Sequence, residues 1–286
     1  MANVPRFYNS RTAAEIDLSG LRNPQCYNWD APRYAVLFLC GSGGVAVRAP
    51  PKLIIFDLDD TLIDTSRVFF DARESFVRFM IRRGFREDRV RRYFDHAEER
   101  NLKRFGYISE RNLITMRETY EALTEAGGET FSHKDLQTIA SIGSECLYVL
   151  PKPLPYARRL LSWCSSRFEL ALLTRGSEAL QNAKIENLGM RDCFELIEVV
   201  ERKTPEAFRK AIDALGHSPE QCISVGDSMR FDVLCAIEVG IPAIHVTYPH
   251  SDIQWNHDKA TGVKGKAIYR AATLPDVRAV LESLIT

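Results

Sequence analysis

The sequence has no excess of charge of either sign. It contains 38 Lys and Arg residues against 38 Asp and Glu residues, so its formal net charge is zero. Because proteins that bind nucleic acid usually carry a basic excess, this balance argues against nucleic acid as the main partner. The chain also lacks an apolar run as long as a membrane span, and its first 30 residues hold no apolar segment of the signal-peptide type. We therefore expect a cytoplasmic protein that contacts no membrane.

Paired cysteines are also absent from the sequence. None of its seven cysteines belongs to a Cys-x-x-Cys motif, and their number is odd. This scatter predicts reduced thiols rather than a disulfide framework or a zinc site. The rest of the composition is ordinary for a globular protein, with 45% apolar and 27% charged residues. The 286 residues are enough for one large domain, or for one domain with an insert.

Residues 1–50 differ in pattern from the rest of the chain and are predicted to be a poorly ordered or accessory N-terminal extension. Within them, residues 34–47 (YAVLFLCGSGGVAV) could form two short strands around the Gly-Ser-Gly-Gly turn. A Walker loop is not predicted there, because Val45-Ala46-Val47 follows the glycines where Gly-Lys-Ser/Thr would be needed.

The remainder of the chain combines apolar strands with amphipathic helices. Residues 53–56 (LIIF) are apolar throughout, which is typical of a parallel strand buried on both faces. Residues 66–150 carry apolar residues at helical spacing, and the Pro-rich residues 151–155 then predict a linker. The later predicted strands are residues 169–174, 195–200, 222–227, 242–247 and 266–271. Predicted helices alternate with these strands, and one of the helices covers residues 231–240. This alternation predicts an α/β fold with a doubly wound, Rossmann-like parallel sheet.

Polar side chains lie at the carboxyl ends of four predicted strands, where ligands bind in such sheets. In chain order they are Asp57 and Asp59, then Thr174, then Lys203, then Asp227 and Asp232. Crowded carboxylates favour a divalent cation, and Asp oxygens with a backbone carbonyl and waters suit octahedral Mg²⁺. The sequence therefore predicts Mg²⁺ as the cofactor.

These residues, in this order, resemble the motifs of the haloacid dehalogenase superfamily. The matching residues are Asp57-Leu58-Asp59-Asp60-Thr61, then Thr174, then Lys203, then Gly226-Asp227 with Asp232. The resemblance covers residues 52–286 and leaves the N-terminal extension uncovered.

The resemblance implies a role for each acidic residue. Asp57 would be the nucleophile that forms an aspartyl phosphate. Asp59 would protonate the leaving oxygen and then activate the water that cleaves the intermediate. Asp57, Asp227 and the carbonyl of Asp59 would ligate Mg²⁺, with Asp232 at or just behind the metal shell.

The resemblance also implies a phosphate-binding set. Thr174 and Lys203 would contact the phosphoryl oxygens with their side chains. Backbone N–H groups near Leu58, Arg175 and Gly176 would complete the set, since charge spreads over these oxygens in the transition state.

Several of these residues also have a simple structural explanation. Thr174 could be an ordinary helix N-cap, and Lys203 a solvated lysine. Asp232 could be an acid that favours the start of a helix. The Thr-Pro that follows Lys203 departs from the commoner Lys-Pro of the family, and Arg202 is a substitute candidate.

Similar families with other chemistry differ in the first motif. Dehalogenases of this type lack the second aspartate, because no alcohol leaving group needs a proton, so Asp59 favours a phosphatase. Sugar-phosphate mutases share the aspartate pair but usually have Gly at the position of Asp60. We expect Asp60 to help the chain turn toward the insert, with Thr61 fixing the loop.

The interval between Asp57 and Thr174 is far longer than one helix crossover, so the insert lies between them. We expect a helical cap of the C1 type at residues 66–150, on a core formed by residues 51–65 and 151–286. Such caps exclude water and polymers, which favours a small phosphorylated metabolite. By layout, phosphoglycolate phosphatases and nucleotidases are the nearest types. The alternatives are a nucleic-acid end-phosphatase and a non-catalytic binding protein, and the chain is expected to be a monomer or homodimer.

Two further groups of residues could contact the substrate. A run of cap arginines could bind a second anionic group, but a solvated face balanced by nearby acids is the favoured interpretation. These are Arg82, Arg83, Arg86, Arg89, Arg91 and Arg92. His250, Trp255 and His257 follow a predicted strand, so they could either line the mouth of the site or pack a loop.

Overall fold

A computed structural model describes residues 50–106, 108, 110–128, 130–247 and 268–285. The two strands considered at residues 34–47 and the loop that contains His250, Trp255 and His257 lie outside the described residues. In the described part of the chain, no helix is both long and apolar enough to cross a membrane. The five described cysteines are free thiols.

The core is a six-stranded, fully parallel sheet with the strand order β3-β2-β1-β4-β5-β6. Its strands are β1 (Leu53–Phe56), β2 (Glu169–Arg175), β3 (Leu196–Val200), β4 (Cys222–Gly226), β5 (Ala243–Val246) and β6 (Ile268–Ala271). In register, Phe56 lies beside Leu172 of β2 and Val225 of β4. The strand order reverses at β1, so a crevice forms where the carboxyl ends of β1 and β4 meet.

Nine α-helices lie in the described part of the chain. Four form the cap: α1 (Thr65–Arg82), α2 (Glu87–Phe105), α3 (Arg111–Gly127) and α4 (His133–Tyr148). Five belong to the core: α5 (Ala157–Ser165), α6 (Glu178–Leu188), α7 (Pro205–Ala214), α8 (Cys235–Glu238) and α9 (Leu274–Ser283).

Alternate residues of β1 face opposite sides of the sheet, as the pleat of a strand requires. Ile54 and Phe56 pack in the apolar cluster that contains residues of α5 and α9. Leu53 and Ile55 pack in the cluster on the other face, with residues of α7 and α8. Helices therefore cover both faces of the sheet, which confirms the predicted doubly wound α/β fold.

The cap has an apolar core of its own. Each of its four helices contributes a fully buried side chain to one cluster, namely Phe76, Phe94, Met116 and Ile139. The two connections to the core run side by side: the N–H of Asp64 donates to the carbonyl of Lys152 (2.9 Å), and the N–H of Leu154 to that of Leu62 (2.9 Å). These contacts support the division that we propose, with residues 66–150 as the cap.

Two elements differ from the sequence predictions. No element was predicted at residues 156–168, where α5 buries Ala157, Leu160, Leu161 and Cys164 on one face. The helix predicted at residues 231–240 is instead a π-helix at Met229–Leu234 followed by the short α8. The wider turn is stabilised by the N–H of Val233, which reaches back five residues to the carbonyl of Ser228 (3.2 Å).

Candidate active site

Asp57 is the first residue after the central strand and is almost fully buried. Its N–H donates to the carbonyl of Val225 on the neighbouring strand (2.9 Å). One carboxylate oxygen accepts a hydrogen bond from the Thr61 hydroxyl (2.9 Å), and the other contacts the ammonium group of Lys203. Burial raises the pKa of Asp57 to about 7 although Lys203 acts in the opposite direction, and the acidic neighbours Asp232 and Asp59 add to the rise.

Lys203 lies between two carboxylates. Its Nζ contacts Asp57 Oδ1 and donates to Asp232 Oδ1 (2.5 Å), and all three side chains are buried. Burial alone would lower the pKa of Lys203, but the carboxylates of Asp232 and Asp57 raise it above its usual value. The next residue, Thr204, caps α7 by accepting from the N–H of Ala207 (3.4 Å). Lys203 is therefore held at the site by a capped helix start.

Three carboxylates meet at the ends of β1 and β4. Asp57, Asp227 and Asp232 each offer a carboxylate oxygen, and these oxygens lie within 4.8 Å of one another. With the single ammonium of Lys203, these four groups carry two net negative charges when all are ionised. Hard oxygen ligands with this charge fit a divalent cation such as Mg²⁺.

Close packing of the backbone brings Asp232 to this group. A Cβ added at Gly226 would lie 2.4 Å from the Cβ of Asp232, so only glycine fits there. Asp232 Oδ2 accepts from the N–H of Ser228 (2.9 Å), and its carbonyl accepts from the hydroxyl of Ser224 (3.1 Å). Asp232 lies on the π-helix, and its Oδ1 accepts from Lys203 Nζ (2.5 Å).

Thr61 and Asp60 fix the loop after β1. The Thr61 hydroxyl donates to Asp57 and accepts from the N–H of Asp227 (3.0 Å), so it joins the first motif to the fourth. Asp60 has a left-handed backbone (φ 58°). Its carboxylate accepts from the N–H and the hydroxyl of Ser66 (both 2.6 Å), near the start of α1. Burial raises the pKa of Asp60 to about 6.

Asp59 is held by three donors. Lys184 Nζ lies 2.7 Å and the Thr65 hydroxyl 2.5 Å from Oδ1, and Gln181 Nε2 lies 2.7 Å from Oδ2. Burial acts to raise the pKa of Asp59, but the charge of Lys184 and the hydrogen bonds from Lys184, Thr65 and Gln181 together hold that pKa below its usual value. Lys184 and Gln181 were not predicted from the sequence. Their only signal was the spacing of two polar residues on one face of α6.

The second motif packs against the same glutamine. Thr174 is fully buried, and its hydroxyl accepts from Gln181 Nε2 (2.6 Å). The N–H of Gly176, which we expected to contact phosphate, donates to the carbonyl of Val200 (3.1 Å). The guanidinium group of Arg175 lies over the ring of Phe231, 4.9 Å from its centroid.

The remaining predicted residues take different positions. The carbonyl of Leu58 accepts from the N–H groups of Leu62 (2.9 Å) and Ile63 (3.1 Å), which closes the loop beside Asp57. Arg202, the substitute candidate for Lys203, is exposed.

The cap supplies the other wall of the cleft. Its lining residues include Phe69, Glu98, Arg111 and Asn112. Arg111 was not predicted from the sequence. None of the six cap arginines considered from sequence, all of which are described, lines this cleft. Arg91, for example, pairs with Glu74 (2.6 Å), in line with a face balanced by acids.

The chain is similar to known proteins over most of its length. Residues 51–240 match the family model described as haloacid dehalogenase-like hydrolase. The chain is 30% identical to glyceraldehyde 3-phosphate phosphatase of Pyrococcus furiosus, over 81% of this chain and 93% of that protein. A haloacid dehalogenase-like family hydrolase from Xanthomonas campestris superimposes with a TM-score of 0.63 at 23% identity, covering 82% of this chain and 96% of the other. A hydrolase of this type from Bacillus subtilis, solved bound to magnesium, has a TM-score of 0.53 at 19% identity, over 82% and 99% of the two chains. The two solved structures share the fold.

Proposed function

The chain belongs to the haloacid dehalogenase-like hydrolase family, and from this premise we propose that it is a Mg²⁺-dependent phosphatase of a small phosphorylated metabolite. The observation that carries the proposal is Asp59, a second carboxylate held beside the buried Asp57 by Lys184, Thr65 and Gln181. A phosphatase needs this group to protonate an alkoxide leaving group, whereas a dehalogenase releases a halide that needs no proton.

The proposed reaction proceeds in two steps. In the first, an oxygen of Asp57 forms a bond to phosphorus while the bond to the leaving oxygen breaks, and Asp59 gives its proton to that oxygen. In the second, Asp59 takes a proton from a water that attacks phosphorus, and the bond between phosphorus and Asp57 breaks. The ammonium group of Lys203 would offset charge on the phosphoryl oxygens, and the Thr174 hydroxyl would donate a hydrogen bond to one of them.

The metal site is part of this proposal. Asp57, Asp227 and Asp232 would hold Mg²⁺ together with the carbonyl of Asp59. When bound, the cation supplies charge neutralisation that lets an anionic nucleophile approach an anionic ester. The magnesium bound to the Bacillus subtilis relative supports the choice of this cation.

The substrate class follows from the cleft and from the relatives. The cleft lies between the sheet edge and the cap, and the cap side chains Phe69, Glu98 and Arg111 line it. A small phosphate ester fits such a covered site better than a polymer. The Pyrococcus furiosus relative is named for glyceraldehyde 3-phosphate, so a triose phosphate heads the panel of substrates to test.

The test begins with a generic aryl phosphate, with Mg²⁺ and with a chelator. We expect turnover only with the metal, and loss of turnover in Asp57→Asn. Asp71→Asn is the matched control, because it removes an exposed carboxylate of the same kind on α1. Metal-dependent turnover that survives Asp57→Asn would contradict the proposed nucleophile, and no turnover at all would favour a non-catalytic protein.

A second experiment addresses the substrate. The panel contains glyceraldehyde 3-phosphate, phosphoglycolate, nucleoside 5′-monophosphates and a 3′-phosphorylated oligonucleotide at matched concentrations. We expect the highest kcat/KM for one of the small esters. A preference for the oligonucleotide would replace the proposal with a nucleic-acid end-phosphatase.

A further inference from the structure

Helix α6 carries two buried polar residues that none of the four sequence motifs includes. Gln181 is 1% and Lys184 is 8% exposed. They are three positions apart, so they lie on one face of the helix. Burying a lysine and a glutamine is costly unless each finds a partner. Such a pair therefore requires an explanation in terms of what it contacts.

Both side chains end on the carboxylate of Asp59. Lys184 Nζ donates to Oδ1 at 2.7 Å and Gln181 Nε2 to Oδ2 at 2.7 Å. Each carboxylate oxygen thus has one donor from α6, which fixes the plane of the group. The terminal torsion of an aspartate is otherwise broad, so an unrestrained carboxylate would rotate.

The orientation of the Gln181 amide is determined by its neighbours. Besides Asp59, Nε2 lies 2.6 Å from the Thr174 hydroxyl and 3.0 Å from the carbonyl of Arg175. Reversing the amide would place its oxygen against a carboxylate and a carbonyl, which is repulsive. Gln181 therefore donates to Asp59, and it joins the second motif to the first.

The start of α6 is built to bring these side chains into reach. Gly176 has a φ of +152°, and a Cβ there would lie 3.0 Å from the Cγ of Gln181. The hydroxyl of Ser177 then caps the helix by accepting from the N–H of Leu180 (3.4 Å). Gly176 and Ser177 thus fix where the helix begins, and with it the positions of Gln181 and Lys184.

On the basis of the phosphatase function proposed above, we propose that Gln181 and Lys184 are positioning residues that hold Asp59 in line with the leaving oxygen of the substrate. Their effect on the reaction passes through Asp59. The loss of kcat/KM, which reports the steps up to release of the leaving group, should therefore be largest where that group needs a proton and small where it does not. An alkoxide leaving group needs this proton, whereas a nitrophenolate does not.

The test compares two substrates in Gln181→Leu and Lys184→Met. They are p-nitrophenyl phosphate and the most active alkyl phosphate of the panel. We expect kcat/KM to fall about tenfold or more for the alkyl phosphate and by less than about threefold for the aryl phosphate. Gln181→Leu changes no charge, so its effect comes from the lost hydrogen bonds to Asp59, Thr174 and the carbonyl of Arg175. Lys184→Arg should keep most of the activity that Lys184→Met loses. Asn182→Ala on α6 and the exposed Lys210→Met are matched controls that should change neither value.

A second measurement separates positioning from a structural effect. In an Asp59→Asn background, Gln181→Leu should cause little further loss, because its target is already removed. The proposal would be overturned by an equal loss of kcat/KM for both substrates. It would also be overturned if the losses of kcat/KM from Gln181→Leu and Asp59→Asn added fully in the double variant. Failure of the phosphatase function itself would be seen separately, as the absence of turnover of either substrate by the unsubstituted protein.

Discussion

Asp57 and Asp59 are two positions apart, but their surroundings shift their acidities in opposite directions. Burial raises the pKa of Asp57 to about 7, whereas Lys184, Thr65 and Gln181 together outweigh burial and lower the pKa of Asp59. A nucleophilic Asp57 has to be ionised, so at neutral pH it needs more positive charge nearby than Lys203 supplies. The ionised Asp59 suits the second step, in which it takes a proton from water, whereas the first step requires Asp59 in its protonated form.

The contact between Gly226 and Asp232 leads to a first prediction at the scale of single residues. Gly226→Ala would place a methyl group 2.4 Å from the Cβ of Asp232, so the acidic side chain has to move. We expect at least a tenfold loss of kcat/KM and a destabilisation of about 2 kcal/mol, as in other overpacked sites. Thermal melting and aryl phosphate turnover measure the two effects.

The matched control for this change is Gly216→Ala. Gly216 has a φ of +71°, and a Cβ added there would meet no other atom of the described residues within 4 Å, so the substitution strains only the backbone. It should cost about 1 kcal/mol in stability and leave turnover unchanged. Full activity of Gly226→Ala would show that the position of Asp232 is not needed.

The Thr61 hydroxyl gives a second residue-scale prediction. Thr61→Val keeps the shape of the side chain but removes the donor to Asp57 and the acceptor for the N–H of Asp227. Losing these two hydrogen bonds at a buried site should cost about 2 kcal/mol and lower kcat/KM. Thr61→Ser should recover most of the lost stability and most of the lost kcat/KM. Thr138→Val on the exposed face of α4 should change neither stability nor kcat/KM. Equal behaviour of the Ser and Val variants would contradict this role.

How far the site could be predicted differs from residue to residue. Asp57, Asp227 and Asp232 follow strands of one parallel sheet, and such strand ends meet at one edge, so their proximity could be predicted from chain order. Lys184 could not, because a lysine on a helix is usually solvated and only the packing of α6 against the sheet buries it. Arg111 was missed for the same reason, since its place at the cleft depends on how α3 packs against α2.

At the scale of elements, the misassigned segments have physical causes. The residues of α5 have apolar positions at helical spacing, but the helix is only nine residues long and directly follows the Pro-rich linker, so its pattern is a weak signal. The π-helix at Met229–Leu234 cannot be distinguished from an α-helix by periodicity. Within it, Asp232 contacts Ser224, Ser228 and Lys203, and sequence periodicity does not show these contacts.

The pairing of α2 with α3 gives a prediction at the element scale. Glu98 accepts from Arg111 Nη2 (2.9 Å) and from the Thr115 hydroxyl (2.9 Å), and the ion pair is about nine-tenths buried. Removing one partner of a buried pair leaves the other charge uncompensated. We therefore expect Glu98→Gln to destabilise the protein by about 3 kcal/mol in urea unfolding followed by circular dichroism.

The control for this prediction is Glu99→Gln. Glu99 is the next residue, but it is exposed and pairs with Lys103 across one turn of α2 (2.7 Å), so its loss should change stability little. Because Arg111 also lines the cleft, Glu98→Gln should raise KM as well. Equal stability of the two variants would show that the buried pair contributes nothing to the cap.

At the scale of the whole molecule, the sheet order explains why distant parts of the chain form one site. The chain passes from β1 through the entire cap before it returns as β2, and it reaches β4 only after β3. Both β2 and β4 nevertheless flank β1, so residues from these separate segments meet at its carboxyl end. This arrangement concentrates buried carboxylates at the centre of the fold. The stability of the metal-free protein should therefore depend on whether they are ionised.

This dependence gives a prediction for pH and metal. The pKa of Asp57 is raised from 3.8 to about 7 in the folded protein, so its carboxyl group favours folding at low pH and this contribution is lost as the pH rises through 7. Asp60, with its pKa raised to about 6, acts in the same direction. Mg²⁺ binds only the folded state and needs ionised ligands, so the melting temperature should rise more with Mg²⁺ at pH about 8 than at pH about 5.5.

The control is Asp57→Asn, whose side chain has no proton to lose. Between these two pH values, its metal-free melting temperature should fall less than that of the unsubstituted protein. An equal Mg²⁺ effect at both pH values in the unsubstituted protein would show that the cation does not bind these carboxylates.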